Sequence, residues 1–311
     1  MKPEILLMAP IYGPTQQHLD ATYTMHRLWE AADQSAMLAT LADRIDTVVT
    51  PGGRGMKAAE MQALPKLKLI ACFAVGVDAV DVTAATTRGI KVTNTPDVLT
   101  EDVADLALAL VLATVRRVAA GDRHVRSGAW LQGALPLTAS LQGKTMGIVG
   151  MGRIGQAIAK RAQAFGLGIA YQGPNDKHLA FPYHADPVEL AKASDILVAA
   201  CPGGDATRGI IGQAVIEALG PEGVFVNIAR GSVVDEPALV AALVDGRLGG
   251  AGLDVFADEP RVPEALFALD QVVLQPHVGS ASHATRTAMG QLVIDNVAAW
   301  FAKRPLPTPV N

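Results

Sequence analysis

Gly150-Met151-Gly152-Arg153-Ile154-Gly155 is the stretch of this chain that decides its fold, and it closes an apolar run at 145–150. In such a pattern the first glycine allows a tight turn and the second lets a pyrophosphate approach the backbone. The third glycine lets the following helix pack closely on the strand, and the N-terminus of that helix attracts the anion. The pattern therefore predicts a dinucleotide-binding turn, and the alternative is a strand–helix turn without a ligand.

Apolar strands alternate with helical segments on both sides of this motif. Before it, strands are predicted at 5–10, 46–50, 68–73 and 91–94, with helices at, for example, 31–44 and 58–64. A long helix is predicted at 101–117, before a second series of strands and helices. The strands of this series are predicted at 145–150, 168–172, 195–200, 223–229, 249–255 and 271–275. Its helices are predicted at 154–165, 187–194, 213–219, 236–246 and finally 283–302. Strands that are apolar throughout are typical of parallel sheets covered on both faces, so we expect two α/β domains.

The composition excludes several classes of partner and site. The 311 residues carry 26 basic and 30 acidic side chains, and this balance argues against nucleic acid or an anionic membrane as a partner. Cys72 and Cys201 are too few and too far apart for a disulfide framework, and the histidines lack metal-ligand spacing, so no metal is expected. Without a signal peptide pattern or a membrane-spanning apolar run, we expect a cytoplasmic protein.

The position that distinguishes NAD from NADP holds a glycine. NAD-preferring enzymes place an acid at the end of the second strand, where it binds the adenosine ribose, but here that position is Gly173. A glycine leaves room for a 2′-phosphate, and Asn175, Lys177 or His178 could supply hydrogen-bond donors. We therefore expect NADP(H) to be preferred and NAD(H) to be possible. The alternative is that this loop is only a turn and that Asp176, three residues later, reaches the ribose of NAD.

Three polar residues follow later strands, at the edge where ligands bind in open α/β sheets. Arg230 follows the run 224–229, Glu259 follows 254–258, and His277 follows 272–276. A guanidinium can hold a carboxylate by a bidentate fork, an imidazolium can protonate a carbonyl oxygen, and a carboxylate beside the imidazole favours its charged form. Taken singly, these residues could be a solvated strand end, a loop charge and a core histidine. Together they predict hydride transfer to a 2-oxo acid.

With these motifs in place, the chain resembles the D-isomer-specific 2-hydroxyacid dehydrogenase family over nearly its whole length. Within that family it is most similar to the glyoxylate/hydroxypyruvate and hydroxyphenylpyruvate reductases. The resemblance is carried by the stretches 75–78, 93–105, 147–155, 228–231, 252–256 with 259–260, and 276–280. It implies two Rossmann-like domains with the active site in the cleft between them. The substrate-binding domain would comprise residues 1–98 and 285–311, and the dinucleotide-binding domain residues 99–284.

The resemblance also implies roles for individual residues. Arg230, Glu259 and His277 match the catalytic set, and backbone amides at Val75 and Gly76 match the loop that receives the substrate carboxylate. Cys201 follows the predicted strand 195–200 and could line the cofactor cleft. With it and the motif residues above, the expected cofactor contacts are Thr100, Gly150, Gly152, Arg153, Ile154, Gly155, Gly173, Asn175, Lys177, Cys201, Asp254 and Ser280. The arginines that NADPH-preferring members often carry after the glycine are replaced here by 174–176.

In the family, the segment like 121–143 forms an arm that builds a homodimer. Trp130 lies in this arm, where it is either an interface residue or an ordinary buried aromatic. Two other functions remain open on the same scaffold. A formate dehydrogenase would carry Gln where Glu259 stands, and a dinucleotide-sensing corepressor could keep all three polar residues without turnover.

Overall fold

The computed structural model describes residues 2–311 and divides the chain into two units. The first contains the chain up to Leu99 together with Ser280–Asn311, and the second contains Thr100–Gly279. The sequence placed these boundaries at 98/99 and 284/285. The assignment of substrate binding to the first unit and dinucleotide binding to the second stays a prediction.

Parallel strands and α-helices account for about half of residues 2–311. The strands are β1 Glu4–Leu7, β2 Thr24–Arg27, β3 Thr47–Pro51, β4 Leu69–Phe73, β5 Lys91–Thr93, β6 Thr145–Val149, β7 Gly168–Gln172, β8 Tyr183–His184, β9 Ile196–Ala199, β10 Val224–Asn227, β11 Gly250–Leu253 and β12 Val272–Leu274. The helices are α1 Gly13–Thr22, α2 Gln34–Leu41, α3 Ala58–Gln62, α4 Val82–Thr87, α5 Thr100–Val115, α6 Val118–Arg126, α7 Arg153–Ala164, α8 Pro187–Lys192, α9 Gln213–Leu219, α10 Glu236–Val244 and α11 His283–Phe301.

The first unit is built on a five-stranded parallel sheet in the order β2-β1-β3-β4-β5. Every side chain of β4 is buried, as expected for a strand covered on both faces. Helix α11 packs against β4 and α1, so the end of the chain completes this unit. The side chain of Asn311 and the backbone of Val310 bond to Val92, which fixes the tail beside β5.

The second unit is built on a seven-stranded parallel sheet in the order β12-β11-β10-β9-β6-β7-β8. The chain runs outward from β6 through β7 to β8, and then returns to β9 on the other side of β6. In open α/β sheets this reversal opens a crevice at the carboxyl ends of the strands, where ligands bind. The predicted fold class, α/β with two parallel sheets, is confirmed.

The structure adds elements that the sequence pattern did not reveal. Strand β2, with the sequence Thr-Met-His-Arg, has no fully buried side chain, and β8 has only two residues, so neither carries an apolar signal. Both lie at sheet edges. The predicted helix 101–117 ends at Val115, because Arg117 adopts a left-handed backbone (φ +48°) and a new helix, α6, begins at Val118. No helix within residues 2–311 combines the length and apolar character needed to cross a bilayer.

Candidate active site

The three predicted polar residues follow the last three strands at one end of the seven-stranded sheet. In the paired strands, Asn227 of β10 stands opposite Leu253 of β11, and Leu253 stands opposite Leu274 of β12. The strands therefore end at the same level, and the loops that leave them share one edge of the sheet. Arg230 lies on the first loop, whereas Glu259 and His277 lie on the second and third.

Glu259 and His277 form an ion pair at this edge. Nδ1 of His277 lies 2.7 Å from Oε2 of Glu259, and Oε1 of the same carboxylate accepts the amide hydrogen of Phe256 at 3.1 Å. Burial acts to raise the pKa of Glu259, but the hydrogen bond and charge of His277 and the charge of Arg230 lower it below its usual value. The carboxylate therefore stays ionised at neutral pH and orients the imidazole through Nδ1, which leaves Nε2 on the side of the ring away from Glu259.

Asp254 anchors the loop that carries His277. The histidine has a left-handed backbone (φ +55°), and its amide donates to the carbonyl of Asp254 at 2.8 Å. The Asp254 carboxylate accepts the amides of Val278 at 2.7 Å and Gly279 at 2.9 Å. Burial raises the pKa of this carboxyl group, and the two amide hydrogen bonds act in the opposite direction. Asp254, predicted only as a cofactor contact, is thus also a positioning residue for His277.

Asn227 shapes the loop that carries Arg230. Its side chain is 1% exposed, accepts the amide hydrogen of Ala229 at 3.0 Å, and donates to the carbonyl of Arg230 at 2.9 Å. The guanidinium of Arg230 donates to the carbonyl of Ala229 at 2.8 Å. Sequence reasoning missed Asn227, although one polar residue in the apolar run 224–229 was a usable signal.

The loop before Glu259 is held from two sides. Oε1 of Glu236, the first residue of α10, accepts the amide hydrogen of Ala257 at 2.9 Å. On the other side, a Cβ on Gly231 would lie 2.0 Å from the carbonyl carbon of Phe256. Only glycine permits this contact, which brings the loops of Arg230 and Glu259 together. Glu236 was also missed, because nothing local to a helix N-terminus marks a contact with a loop 21 residues away.

The glycine motif has the shape that a dinucleotide phosphate requires. Gly150 has φ +99°, and a Cβ there would lie 2.5 Å from the backbone nitrogen of Cys201. A Cβ on Gly155 would lie 2.2 Å from the carbonyl oxygen of Gly150, so α7 packs directly on the turn. A Cβ on Gly152 would meet no atom within 4 Å, and no side chain caps the helix that begins at Arg153. This open cradle at the amides of a helix N-terminus fits a pyrophosphate.

The other predicted cofactor contacts are placed as follows. Ile154 lies in the first turn of α7, Thr100 opens α5, and Ser280 belongs to the first unit. Cys201 follows β9 beside Gly150, and burial raises the pKa of its thiol to about 11, so it stays protonated and is a poor nucleophile. Their roles toward a cofactor stay predictions.

The Gly173 position has space for a larger group. A Cβ there would have only the carbonyl oxygen of Asn175 within 4 Å, at 3.8 Å, and the backbone conformation is open to any residue. Asn175 and Lys177 are both exposed in the loop that follows. The structure therefore permits a 2′-phosphate beside Gly173, with nearby groups that can donate to it.

In the first unit, the predicted carboxylate loop leaves β4. The side-chain amide of Asn94 donates to the carbonyl of Val75 at 2.8 Å, and the backbone amide of Thr95 donates to the carbonyl of Ala74, also at 2.8 Å. These bonds fix the loop that includes Gly76. Its contact with a substrate stays a prediction.

Comparisons with known proteins agree with this geometry. Residues 108–279 match the family model of the D-isomer specific 2-hydroxyacid dehydrogenase NAD binding domain. Hydroxyphenylpyruvate reductase of Plectranthus scutellarioides is 50% identical over 307 residues, which cover 98% of each chain. Glyoxylate/hydroxypyruvate reductase A of Arabidopsis thaliana is 48% identical, again over 98% of each chain.

A solved structure extends the similarity to three dimensions. The NADPH-dependent glyoxylate/hydroxypyruvate reductase of Sinorhizobium meliloti, crystallised with NADP and malonate, is 45% identical with a TM-score of 0.93. The match covers 100% of this chain and 97% of that one. The resemblance seen in the sequence motifs is thereby confirmed, and the chain belongs to the D-isomer-specific 2-hydroxyacid dehydrogenase family.

Proposed function

We propose that this enzyme reduces small 2-oxo acids, such as glyoxylate, hydroxypyruvate and aromatic 2-oxo acids, to D-2-hydroxy acids with NADPH, and less efficiently with NADH. The observation that carries the proposal is the ion pair of His277 with Glu259, at 2.7 Å, on the sheet edge that also holds Arg230. Relatives that are named as reductases of such acids support it.

The residues of the site have separate roles in the proposed reaction. A nicotinamide dinucleotide held at the glycine motif 150–155 would supply a hydride to the 2-oxo acid. Arg230 holds the substrate carboxylate by a bidentate fork and so orients the carbonyl. Nε2 of His277 donates a proton to the carbonyl oxygen as that oxygen gains charge, and Glu259 stabilises the protonated ring before the transfer. In the oxidative direction the same nitrogen accepts the proton.

The two other functions considered are not favoured. Oxidation of formate to CO2 transfers a hydride and no proton, so a formate dehydrogenase needs no proton donor. The Gln usual in such enzymes is replaced here by Glu259 in contact with His277. A binding protein without turnover would not require a proton donor held by an ionised partner. The relatives compared above are reductases.

A substrate panel tests the proposed reaction. Purified enzyme with NADPH is expected to reduce glyoxylate, hydroxypyruvate and phenylpyruvate, and to leave acetaldehyde and acetone unchanged because they lack a carboxylate for Arg230. Cofactor oxidation is followed by absorbance. Turnover of the aldehyde and the ketone at the rate of the acids would contradict the proposal, as would an absence of turnover with every acid.

The substitution Gly173→Asp is expected to shift cofactor preference toward NADH. The position has room for the side chain, and a carboxylate there binds the ribose hydroxyls of NADH and repels a 2′-phosphate. The measurement is kcat/KM for each cofactor at saturating glyoxylate, with Gly173→Asn as the uncharged control. A wild-type enzyme that works better with NADH would refute the NADPH preference.

We further propose a homodimer formed through the arm 121–143. Trp130 is 66% exposed, Leu131 94% and Leu137 99%, so the alternative of a buried Trp130 is wrong. Apolar side chains this exposed and this close together in sequence are typical of an interface. The partner surface would be the same segment of a second copy, as in most symmetric dimers.

Charged substitutions in the arm test the dimer. Leu131→Glu with Leu137→Glu is expected to convert the dimer to a monomer, because the partner surface would have to desolvate two carboxylates. Molar mass is measured by light scattering after gel filtration. Phe267→Glu, at an apolar residue of the second unit that is 63% exposed outside the arm, serves as the control and should leave the mass unchanged. A wild-type monomer would refute the proposal.

We also propose that the enzyme works in a reducing compartment such as the cytoplasm. Both cysteines, Cys72 and Cys201, are buried free thiols, as expected where disulfides do not form.

A further inference from the structure

The loop after β7 contains one acid, Asp176, and its carboxylate is already engaged. Residues 173–182 hold no other Asp or Glu. Oδ1 of Asp176 accepts the hydroxyl hydrogen of Tyr171 at 2.5 Å and the backbone amide of His178 at 2.8 Å. Oδ2 lies 3.4 Å from Nδ1 of His178. This carboxylate is therefore held within its own loop.

Tyr171 is a fixed anchor for that carboxylate. It lies in β7, is fully buried, and packs its ring against Tyr183 at 5.4 Å between centroids. Its hydroxyl also accepts the backbone amide of Lys177 at 2.9 Å. Because the ring is buried in the sheet, its hydroxyl can hold the loop only in this arrangement.

The charge states of the two partners favour the contact. Burial, followed by the hydrogen bond to Asp176, raises the pKa of Tyr171, so the hydroxyl keeps its hydrogen. The hydrogen bond from Tyr171 lowers the pKa of Asp176, so the carboxylate keeps its charge. A charged acceptor makes a stronger hydrogen bond than a neutral one.

The carboxylate of Asp176 does not approach the position at which the side chain of an NAD-binding acid would leave the backbone. A side chain at Gly173 would start at a point with only the carbonyl oxygen of Asn175 within 4 Å, so no atom of Asp176 is that close. The hydroxyl of Tyr183 donates to the carbonyl of Gly173 at 3.1 Å and fixes this end of the loop. Asp176 is thus the acid nearest in sequence to the ribose position, yet it is bonded to Tyr171 instead.

We propose that Tyr171 and Asp176 form a cofactor-selectivity lock, in which the tyrosine hydroxyl withholds the carboxylate from the adenosine ribose. The inference rests on the proposed preference for NADPH and adds a residue in the strand that creates it. A free carboxylate in this loop would accept hydrogen bonds from the 2′- and 3′-hydroxyls of NADH and repel the 2′-phosphate of NADPH. With the lock closed, the carboxylate is directed toward Tyr171 and its hydrogen bonds to the ribose are withheld.

The substitution Tyr171→Phe opens the lock by removing one hydroxyl. Dissociation constants for NADPH, NADH, 2′,5′-ADP and 5′-AMP are measured by calorimetry, which reports on the adenosine end without turnover. The ratio of the dissociation constant of NADPH to that of NADH is expected to rise at least about fivefold. The corresponding ratio of the constants of 2′,5′-ADP and 5′-AMP should rise in parallel. The double variant Tyr171→Phe with Asp176→Asn should lose the gain in NADH affinity, because the freed group carries no charge.

A matched control is available in the same aromatic pair. Tyr183→Phe also removes one hydroxyl that contacts this loop. That hydroxyl donates to the backbone carbonyl of Gly173, so its loss releases no carboxylate. The two ratios should then stay within about twofold of wild type. Thermal unfolding checks that both variants are folded. If Tyr171→Phe does not fold, Asp176→Asn alone is used instead, because its side-chain oxygen can still accept the hydroxyl hydrogen of Tyr171. Asp176→Asn is expected to leave the ratios unchanged.

The outcomes separate this inference from the cofactor preference on which it rests. Ratios that stay constant in Tyr171→Phe, or equal weakening of all four ligands, would overturn the lock whatever the wild type prefers. A wild type that binds NADH more tightly would overturn the NADPH preference, while a rise in the ratio in Tyr171→Phe would still support the lock. An unfolded Tyr171→Phe together with an Asp176→Asn variant that shifts toward NADH would also overturn it.

Discussion

His277→Ala is expected to lower kcat for the reduction of hydroxypyruvate by roughly 10²- to 10⁴-fold, the usual contribution of a positioned proton donor. The ring is held by Glu259 at 2.7 Å through Nδ1, and alanine offers no group that could donate to the carbonyl oxygen. NADPH affinity should be nearly unchanged. The measurements are the initial rate at saturating cofactor and the dissociation constant of NADPH.

A second substitution controls for a change in the backbone of the loop that carries His277. Because His277 has φ +55°, where asparagine is better tolerated than most residues, His277→Asn preserves the backbone but cannot transfer a proton in this role. Both variants should be equally inactive. Near-normal turnover by either one would exclude His277 as the acid.

We expect the carboxylate of Glu259 to influence the pH range of the proposed reaction. Glu259→Gln removes a negative charge 2.7 Å from the ring and keeps the shape, so the protonated ring loses its stabilising neighbour. Since reduction consumes that proton, the alkaline limb of kcat/KM should move to lower pH. Superimposable profiles for wild type and Glu259→Gln would show that the two residues are not coupled.

Arg230→Ala is expected to cost about 3–5 kcal/mol of transition-state stabilisation, because two charge-assisted hydrogen bonds to the substrate carboxylate are lost. This corresponds to a fall in kcat/KM for glyoxylate of at least about 100-fold. The loss should appear with every 2-oxo acid, since they share the carboxylate.

The lysine variant separates charge from geometry. Arg230→Lys restores the charge but not the planar fork, so it should recover only part of the lost kcat/KM. Full recovery would mean that the fork is unnecessary. Reduction of glyoxylate by Arg230→Ala at close to the wild-type rate would remove Arg230 from the substrate site.

Much of the fold was predictable because its signals are local. The apolar strands of both sheets and the glycine turn after β6 are read directly from the sequence, since buried parallel strands and tight turns restrict residue type. Strands β2 and β8 were not predictable in this way, because short edge strands with exposed side chains have no apolar pattern. The break at Arg117 was missed because a left-handed arginine has no sequence signature.

Residues of the candidate site could be proposed from the sequence where chemistry dictates the residue type. Arg230, Glu259 and His277 could be proposed because a guanidinium, a carboxylate and an imidazole each have a task in the reaction. Their supports were not proposed in these roles, since Asn227, Asp254 and Glu236 act by hydrogen bonds to backbone groups. Of the three, only Asn227 left a signal for such a role, as a polar residue in an apolar run. The sequence also could not show whether Asp176 faces the ribose, because the direction of its carboxylate depends on a hydrogen bond from the buried hydroxyl of Tyr171.

The hydrogen bonds that join the three strand ends have a dynamic consequence. The amide of Asp254 donates to the carbonyl of Asn227 at 3.0 Å, and the amide of His277 donates to the carbonyl of Asp254 at 2.8 Å. His277 is therefore connected to the interior of the sheet through two successive main-chain hydrogen bonds. We therefore expect the amides of His277 and Asp254 to exchange with deuterium more slowly than those of surface loops, and to open together with the strands of the sheet.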